Sequence, residues 1–192
     1  LGYQGGSVEC GMMNAAIHQL ANHVKVPNYN SSGLTDAKIP DAQAGWEKAM
    51  TTMLAAMGGS NYVHHAAGML DCMITVAHEQ FVIDDEIIGM VCKVLAGIPT
   101  DPEHLALEVI DSAARGADFI KSAHTMKYMK SEYFNGNGVT DTKNLDKWIK
   151  AGRLDAWMRA RNIAKKILAR SNPSYIPSEI DFAIRKKYDI RL

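Results

Sequence analysis

Apolar residues recur along the chain in two rhythms: spacings of three or four that suit helices, and short compact runs that suit strands. Over residues 7–25, Val8, Met12, Ala16, Leu20 and Val24 repeat at intervals of four, Ser7 stands at the cap position, and Glu9 lies in the first turn where the helix dipole favours an acid. Pro27 closes that helix, because the residue before a proline avoids helical geometry. Residues 26–32 then read as a strand, followed by a Gly33-Leu34-Thr35-Asp36 loop. Asp41 after Pro40 starts a second helix with Trp46, Met50, Met53, Leu54 and Met57 on its apolar side, and Gly58-Gly59 stops it. Residues 61–67 form the next strand candidate, broken by Gly68. A helix over about 79–95 carries Ile87, Ile88, Val91 and Leu95 on one side. Asp101-Pro102-Glu103 is a start signal for a helix reaching about Ala114. Phe119 and Ile120 suggest a weak third strand.

Helix and short strand thus alternate through residues 1–134, which predicts an α/β fold with a parallel sheet and helical crossovers. After Asn135-Gly136-Asn137-Gly138 the character changes. Trp148, Ile149, Trp157, Ile163, Ile167 and Leu168 lie among many Lys and Arg residues, and Ser178 caps a last short helix. Residues 135–192 therefore read as a helical C-terminal extension.

Composition narrows the classes. Lys plus Arg and Asp plus Glu balance at 21 each, so no global field favours nucleic acid or an acidic membrane. Apolar runs stop well short of the ~20 residues a membrane helix needs, and no signal-peptide pattern opens the chain, so a cytoplasmic protein is expected. Cys10, Cys72 and Cys92 fall in no C-x-x-C spacing and read as reduced thiols. Leu1 in place of Met, with residues 1–7 reading as the tail of an earlier element, suggests a piece of a longer protein.

The common catalytic signatures fail one by one. His78-Glu79 would begin H-E-x-x-H, but position 82 is Val82. No G-x-G-x-x-G, P-loop or G-x-S-x-G is present, and no metal ligand set is called for. Three polar clusters remain where a parallel α/β sheet places its chemistry, at strand ends and the loops after them. The first is Asn28, Tyr29, Asn30, Ser31 and Ser32 with Thr35, Asp36 and Lys38, residues that equally suit a turn for backbone reasons. The second is His64-His65 with Gly68; in a continuing strand the two rings point to opposite faces, so at most one reaches a site, and a core histidine is the plain alternative. The third is His78-Glu79-Gln80, where Glu79 equally serves the helix dipole.

The run from Gly33 through Lys38, Pro40 and Asp41 to Ala44 resembles the trimethylamine:corrinoid methyltransferase family. The likeness continues through Asn61 to Gly68, Glu79-Gln80-Phe81-Val82-Ile83-Asp84-Asp85-Glu86-Ile87, His124, and Ser131-Glu132-Tyr133-Phe134. Separated blocks in the right order make it specific. The resemblance implies the C-terminal portion of a (β/α)8 TIM barrel followed by helices, with roughly the first three fifths of the protein upstream of Leu1. It implies methyl transfer from trimethylamine to the Co(I) corrinoid of a cognate corrinoid protein, the cobalt corrinoid being supplied by that partner and no cofactor bound directly. The family divides into enzymes that carry pyrrolysine and relatives without it, some acting on quaternary amines such as glycine betaine. Every position here is an ordinary residue, so a pyrrolysine would lie upstream of Leu1 or be masked in how the codons of residues 28–33 are read.

On that resemblance His65 and Glu79 are the catalytic candidates, and Tyr29, Asn30, Ser31, Ser32, Asp36 and Gln80 the substrate-binding ones. His65 is preferred to His64 because relatives more often keep a histidine just before Ala66-Ala67-Gly68. Tyr29 can attract a methylammonium through cation–π contact, and Asp36 or Glu79 can offset its charge. Asn30, Ser31, Ser32, His65 and the Glu79-Gln80 pair should converge at the strand ends. A partial barrel exposes sheet edges and apolar surface, which predicts a homo-oligomer. The competing reading is a non-catalytic module whose basic C-terminal helices dock a partner.

Overall fold

The Ser7 hydroxyl accepts the Cys10 N–H at 3.2 Å and so opens helix α1, Val8–His23. In the computed structural model, which describes residues 4–170 and 175–190, strand β1 follows at Tyr29–Ser31. The residues that precede Gln4 in the expected leading tail lie outside the described part. Asp41 caps helix α2, Ala42–Met57, through the Ala44 N–H at 3.2 Å, and the chain returns as strand β2, Tyr62–His64. β1 and β2 pair in parallel with Tyr29 opposite Tyr62, Asn30 opposite Val63 and Ser31 opposite His64. This β–α–β unit is what the alternation of patterns predicts.

A hairpin absent from the sequence reading comes next, β3 at Met69–Leu70 and β4 at Thr75–Val76, paired antiparallel. Its turn holds Asp71, Cys72 and Met73 at positive φ, and is tied to the loop after β1 by the Asp71 N–H on the Ala37 carbonyl and the Cys72 N–H on that of Thr35, both 2.8 Å. Helix α3 spans His78–Ala96. The single helix expected after Asp101 is two, α4 at Pro102–Leu105 and α5 at Leu107–Ala114, because Ala106 takes a left-handed conformation between them. Phe119–Lys121 is a 3-10 turn and not a strand: the Asp118 carboxylate accepts the Ile120 N–H at 2.9 Å and curls the backbone. Then come α6 at Ala123–Tyr128, α7 at Leu145–Lys150, α8 at Ala156–Leu168 and α9 at Ser178–Lys187. Beyond Thr140 the described elements are all helical. Ser178 does begin α9, but as its first residue, with Pro177 at the cap position.

The α/β class holds, and among the described residues the sheets are two separate pairs with no closure into a barrel. No described helix is long and apolar enough to cross a membrane.

The apolar stripes read from the sequence are not the buried faces. On α1, Val8, Met12, Leu20 and Val24 are at least half exposed, whereas Cys10, Gly11 and His18 are buried. A repeat of four drifts by about 40° per step on a 3.6-residue helix, so five such positions wind across the surface instead of marking one face. On α2, Trp46 and Met57 are exposed and Ala44, Lys48, Thr51, Thr52 and Ala55 are buried. Small side chains bring the two helices close: a Cβ on Gly58 would lie 2.9 Å from the Ala15 Cα. On α3, Val91 is buried as expected, but Leu95 is exposed and Gln80, Asp84 and Glu86 are buried.

The C-terminal helices rest on α3. Val82, Val139, Ala160 and Ala164 form a small core with Ile83 and Ile163. The buried Glu86 carboxylate accepts the N–H groups of Val139 and Thr140 at 2.9 and 2.7 Å.

Candidate active site

Strand pairing puts Ser31 directly opposite His64, and Tyr29 opposite Tyr62, all on one face because residues two apart share a side of the pleat. Ser31 Oγ lies 2.5 Å from His64 Nε2. The His64 ring sits 5.0 Å from that of Tyr29 and 6.2 Å from that of Tyr62. β2 ends at His64, and His65 turns into a left-handed conformation at φ 62°. That turn overrides the alternation expected of a continuing strand. His65 Nδ1 comes back to the same Ser31 Oγ at 3.0 Å, and the two imidazole centroids stand 4.2 Å apart.

The opposite face of β1 serves packing. Ser32 is buried and donates its hydroxyl to the Thr51 carbonyl at 2.7 Å. Asn30 turns the same way, and its buried side-chain amide has no hydrogen-bond partner. Asn14 of α1 donates to the Ser31 carbonyl at 3.3 Å and fixes the strand end. Gly33 follows at φ 70°, donating to Thr51 Oγ1 at 3.2 Å; a Cβ there would come within 2.9 Å of the Ala66 Cα. Only glycine lets this loop pass beside the His65 segment.

Behind that segment lies an ion pair that sequence reasoning missed. Lys48 Nζ and Asp84 Oδ2 are 3.1 Å apart, with both side chains about 1% exposed. Lys48 also donates to the Met69 carbonyl at 3.1 Å, while Asp84 accepts the Gly68 N–H at 2.7 Å and the Gln80 amide at 2.8 Å. Burial pushes the Asp84 carboxyl up and the Lys48 ammonium down, and their mutual attraction opposes both shifts. The network holds residues 68 and 69 between α2 and α3, and with them the stretch that carries His65.

The family profile described as trimethylamine methyltransferase (MTTB) matches residues 3–191. The chain belongs to the trimethylamine methyltransferase family. It is 37% identical over 176 residues to a glycine betaine methyltransferase of Desulfitobacterium hafniense (strain Y51), covering 92% of the chain and 36% of that protein. It is 35% identical over 180 residues to a trimethylamine methyltransferase of Desulfitobacterium hafniense (strain DSM 10664 / DCB-2), covering 94% and 36%. A Methanosarcina mazei trimethylamine methyltransferase is 37% identical over 175 residues, covering 91% and 35%. The chain thus spans about a third of the length of these curated relatives.

Tyr29, Ser31 and His65 gather with His64 and Tyr62, two residues not singled out as site members from the sequence. The register Tyr29–Tyr62 would have found Tyr62, but register is not readable from one strand. The other candidates lie elsewhere. Glu79 faces Arg161 of α8, with 3.7 Å between Oε1 and Nε. Gln80 is wholly buried against Asp84. Asp36 lines an open cleft of about 510 Å³ with Lys38 and Asp71, which pair at 3.1 Å; its own N–H donates to Glu47 at 2.8 Å.

Proposed function

We propose that this chain is part of an enzyme that moves a methyl group from trimethylamine to the cobalt corrinoid of a cognate corrinoid protein. The observation that carries the proposal is the grouping of Ser31, His64 and His65 at the C-terminal end of a parallel strand pair, with the rings of Tyr29 and Tyr62, the first residues of those strands, beside His64 on the same face. A parallel α/β sheet meets its reactants there. On this reading β1 and β2 are neighbouring strands of a (β/α)8 barrel completed by other parts of the protein, with α1, α2 and α3 on its outside.

A neutral amine is a poor leaving group, so its nitrogen has to be cationic when the methyl departs. Tyr29 and Tyr62 offer ring faces that attract a methylammonium, worth about 0.5–2 kcal/mol according to desolvation. Ser31 and the histidines supply hydrogen bonds fixed in place before the reaction, and preorganised polar groups are the protein's main lever on a charge that changes during reaction. The corrinoid, carried by its own protein, supplies the nucleophile. Ser31 and His64 are the last residues of their strands and His65 lies just beyond, a position within reach of a second reactant.

The name of the Desulfitobacterium hafniense (strain Y51) relative favours a second reading, a quaternary amine such as glycine betaine as methyl donor. A quaternary nitrogen is cationic from the start and suits the same aromatic face. The complete protein, incubated with its reduced corrinoid partner and each amine in turn, decides between them. Corrinoid methylation with trimethylamine supports the first reading, methylation with glycine betaine the second, and none with either defeats both.

A further inference from the structure

The Ser31 hydroxyl has one proton and two imidazole nitrogens within reach, His64 Nε2 at 2.5 Å and His65 Nδ1 at 3.0 Å. At most one ring can accept that proton, so the other must direct its own N–H at Oγ. Two arrangements satisfy all three groups. In the first, His65 Nδ1–H donates to Ser31 and Ser31 donates to His64, which leaves both rings protonated at Nδ1. In the second, His64 Nε2–H donates to Ser31 and Ser31 donates to His65, which leaves both rings protonated at Nε2. Hops across the oxygen alone would leave one ring an imidazolium and the other an imidazolate, so the arrangements interconvert only when the two outer nitrogens, His64 Nδ1 and His65 Nε2, also exchange protons with their surroundings. Besides His65, Tyr29 and Tyr62 are the titratable groups whose rings pack against that of His64 among the described residues. His65 is exposed, and His64 is half-buried.

We propose that Ser31 relays a proton from His64 to His65, and that His65 delivers it to the amine nitrogen as the methyl group leaves. This rests on the methyltransferase reading of the same site. The carbon–nitrogen bond breaks with its electron pair on nitrogen, the methyl passes to the partner's corrinoid, and the nitrogen pair takes the Nε2 proton of His65. His65 Nδ1 takes the Ser31 hydroxyl proton, and Ser31 Oγ takes the Nε2 proton of His64, which begins as imidazolium and ends neutral. A proton from water on the exposed His65 ring then restores the start by the reverse shift. An imidazolium is ordinarily a far stronger acid than an alkylammonium, so the transfer runs downhill. Protonation removes the lone pair with which the product amine could take the methyl back. Trimethylamine and quaternary donors both leave an amine that needs this proton, so the relay serves either substrate.

Ring 15N shifts of His64 and His65 in the labelled chain report which nitrogen of each carries the proton. The relay requires equal Nδ1–H populations in the two neutral rings, and requires Ser31→Thr to keep that equality while Ser31→Ala abolishes it. Unequal populations in the unaltered chain, or equality that survives Ser31→Ala, would overturn the proposal. In the complete enzyme, Ser31→Ala should lower kcat about a hundredfold with little change in KM, and Ser31→Thr should restore most of it. Matched rings together with no methyl transfer by the unaltered enzyme leave the hydrogen-bond relay standing and remove the activity reading. Methyl transfer that is unaffected by Ser31→Ala removes the relay's part in it.

Discussion

Lys48 and Asp84 meet 3.1 Å apart in the interior, one from α2 and one from α3, and neither side chain is more than about 1% exposed. Removing one partner strands the other. Asp84→Leu should therefore destabilise the fold by about 3–5 kcal/mol, and the double change Lys48→Met with Asp84→Leu should recover much of that loss. Urea denaturation of the two variants and the parent chain checks this. A double variant as unstable as the single one would show that the hydrogen bonds to Gly68 and Met69, and not the stranded charge, dominate.

Gly68 should tolerate no side chain. Its φ is 81°, and a Cβ there would lie 2.2 Å from the Phe81 ring. Gly68→Ala adds a left-handed penalty of roughly 1–2 kcal/mol to the steric conflict. Pairing it with Phe81→Ala should remove the clash but leave the backbone term, and the difference in melting temperature between single and double variants measures the two parts.

His18 is fully buried with neither ring nitrogen hydrogen-bonded. An unsatisfied buried polar group costs about 1–3 kcal/mol, so His18→Leu is expected to raise stability. The denaturation midpoint should move up with an unchanged slope; a fall would show that the imidazole has a partner in solution.

Acid should weaken the fold through carboxylates that hydrogen bonds hold in the charged form. Backbone N–H groups of His104 and Lys143 hold Asp101 and Asp141 below the usual carboxylate range, and the Lys127 side chain does the same for Glu103. Their folded forms bind protons less readily than the unfolded chain. This stability is present above the ordinary carboxylate value near pH 4 and is lost as pH falls through the folded values. Asp84, raised by burial, has the opposite sign. Melting temperature measured from pH 6 to pH 2.5 should fall, and less so in Asp141→Asn.

Local signals carried much of this architecture. Ser7, Asp41 and Asp101 each cap the helix that follows, because capping is settled within three residues. The strands at 29–31 and 62–64 fall inside the expected segments. What failed depends on partners far away in sequence. The buried side of α2 contains Lys48, which no apolar pattern selects, since only Asp84 across the interior makes it tolerable there. The pairing of His64 with Ser31 likewise awaits the parallel register, and the turn at His65 is a backbone choice without a sequence rule. Glu79 and Gln80 were expected at the strand ends, yet as neighbours on a helix they point about 100° apart, Glu79 to Arg161 and Gln80 to Asp84.

The clamp of Glu86 on the Val139 and Thr140 N–H groups has a consequence in time. Val139 follows Glu86 by 53 residues. At a synthesis rate of about 5–20 residues per second, α3 emerges about 3–10 s before the groups that satisfy its buried carboxylate. During that interval Glu86 has only water to accept from, so the helix cannot settle its tail-facing side until residues 139 and 140 arrive. The order of synthesis thus makes the second half of the chain the step that completes the first.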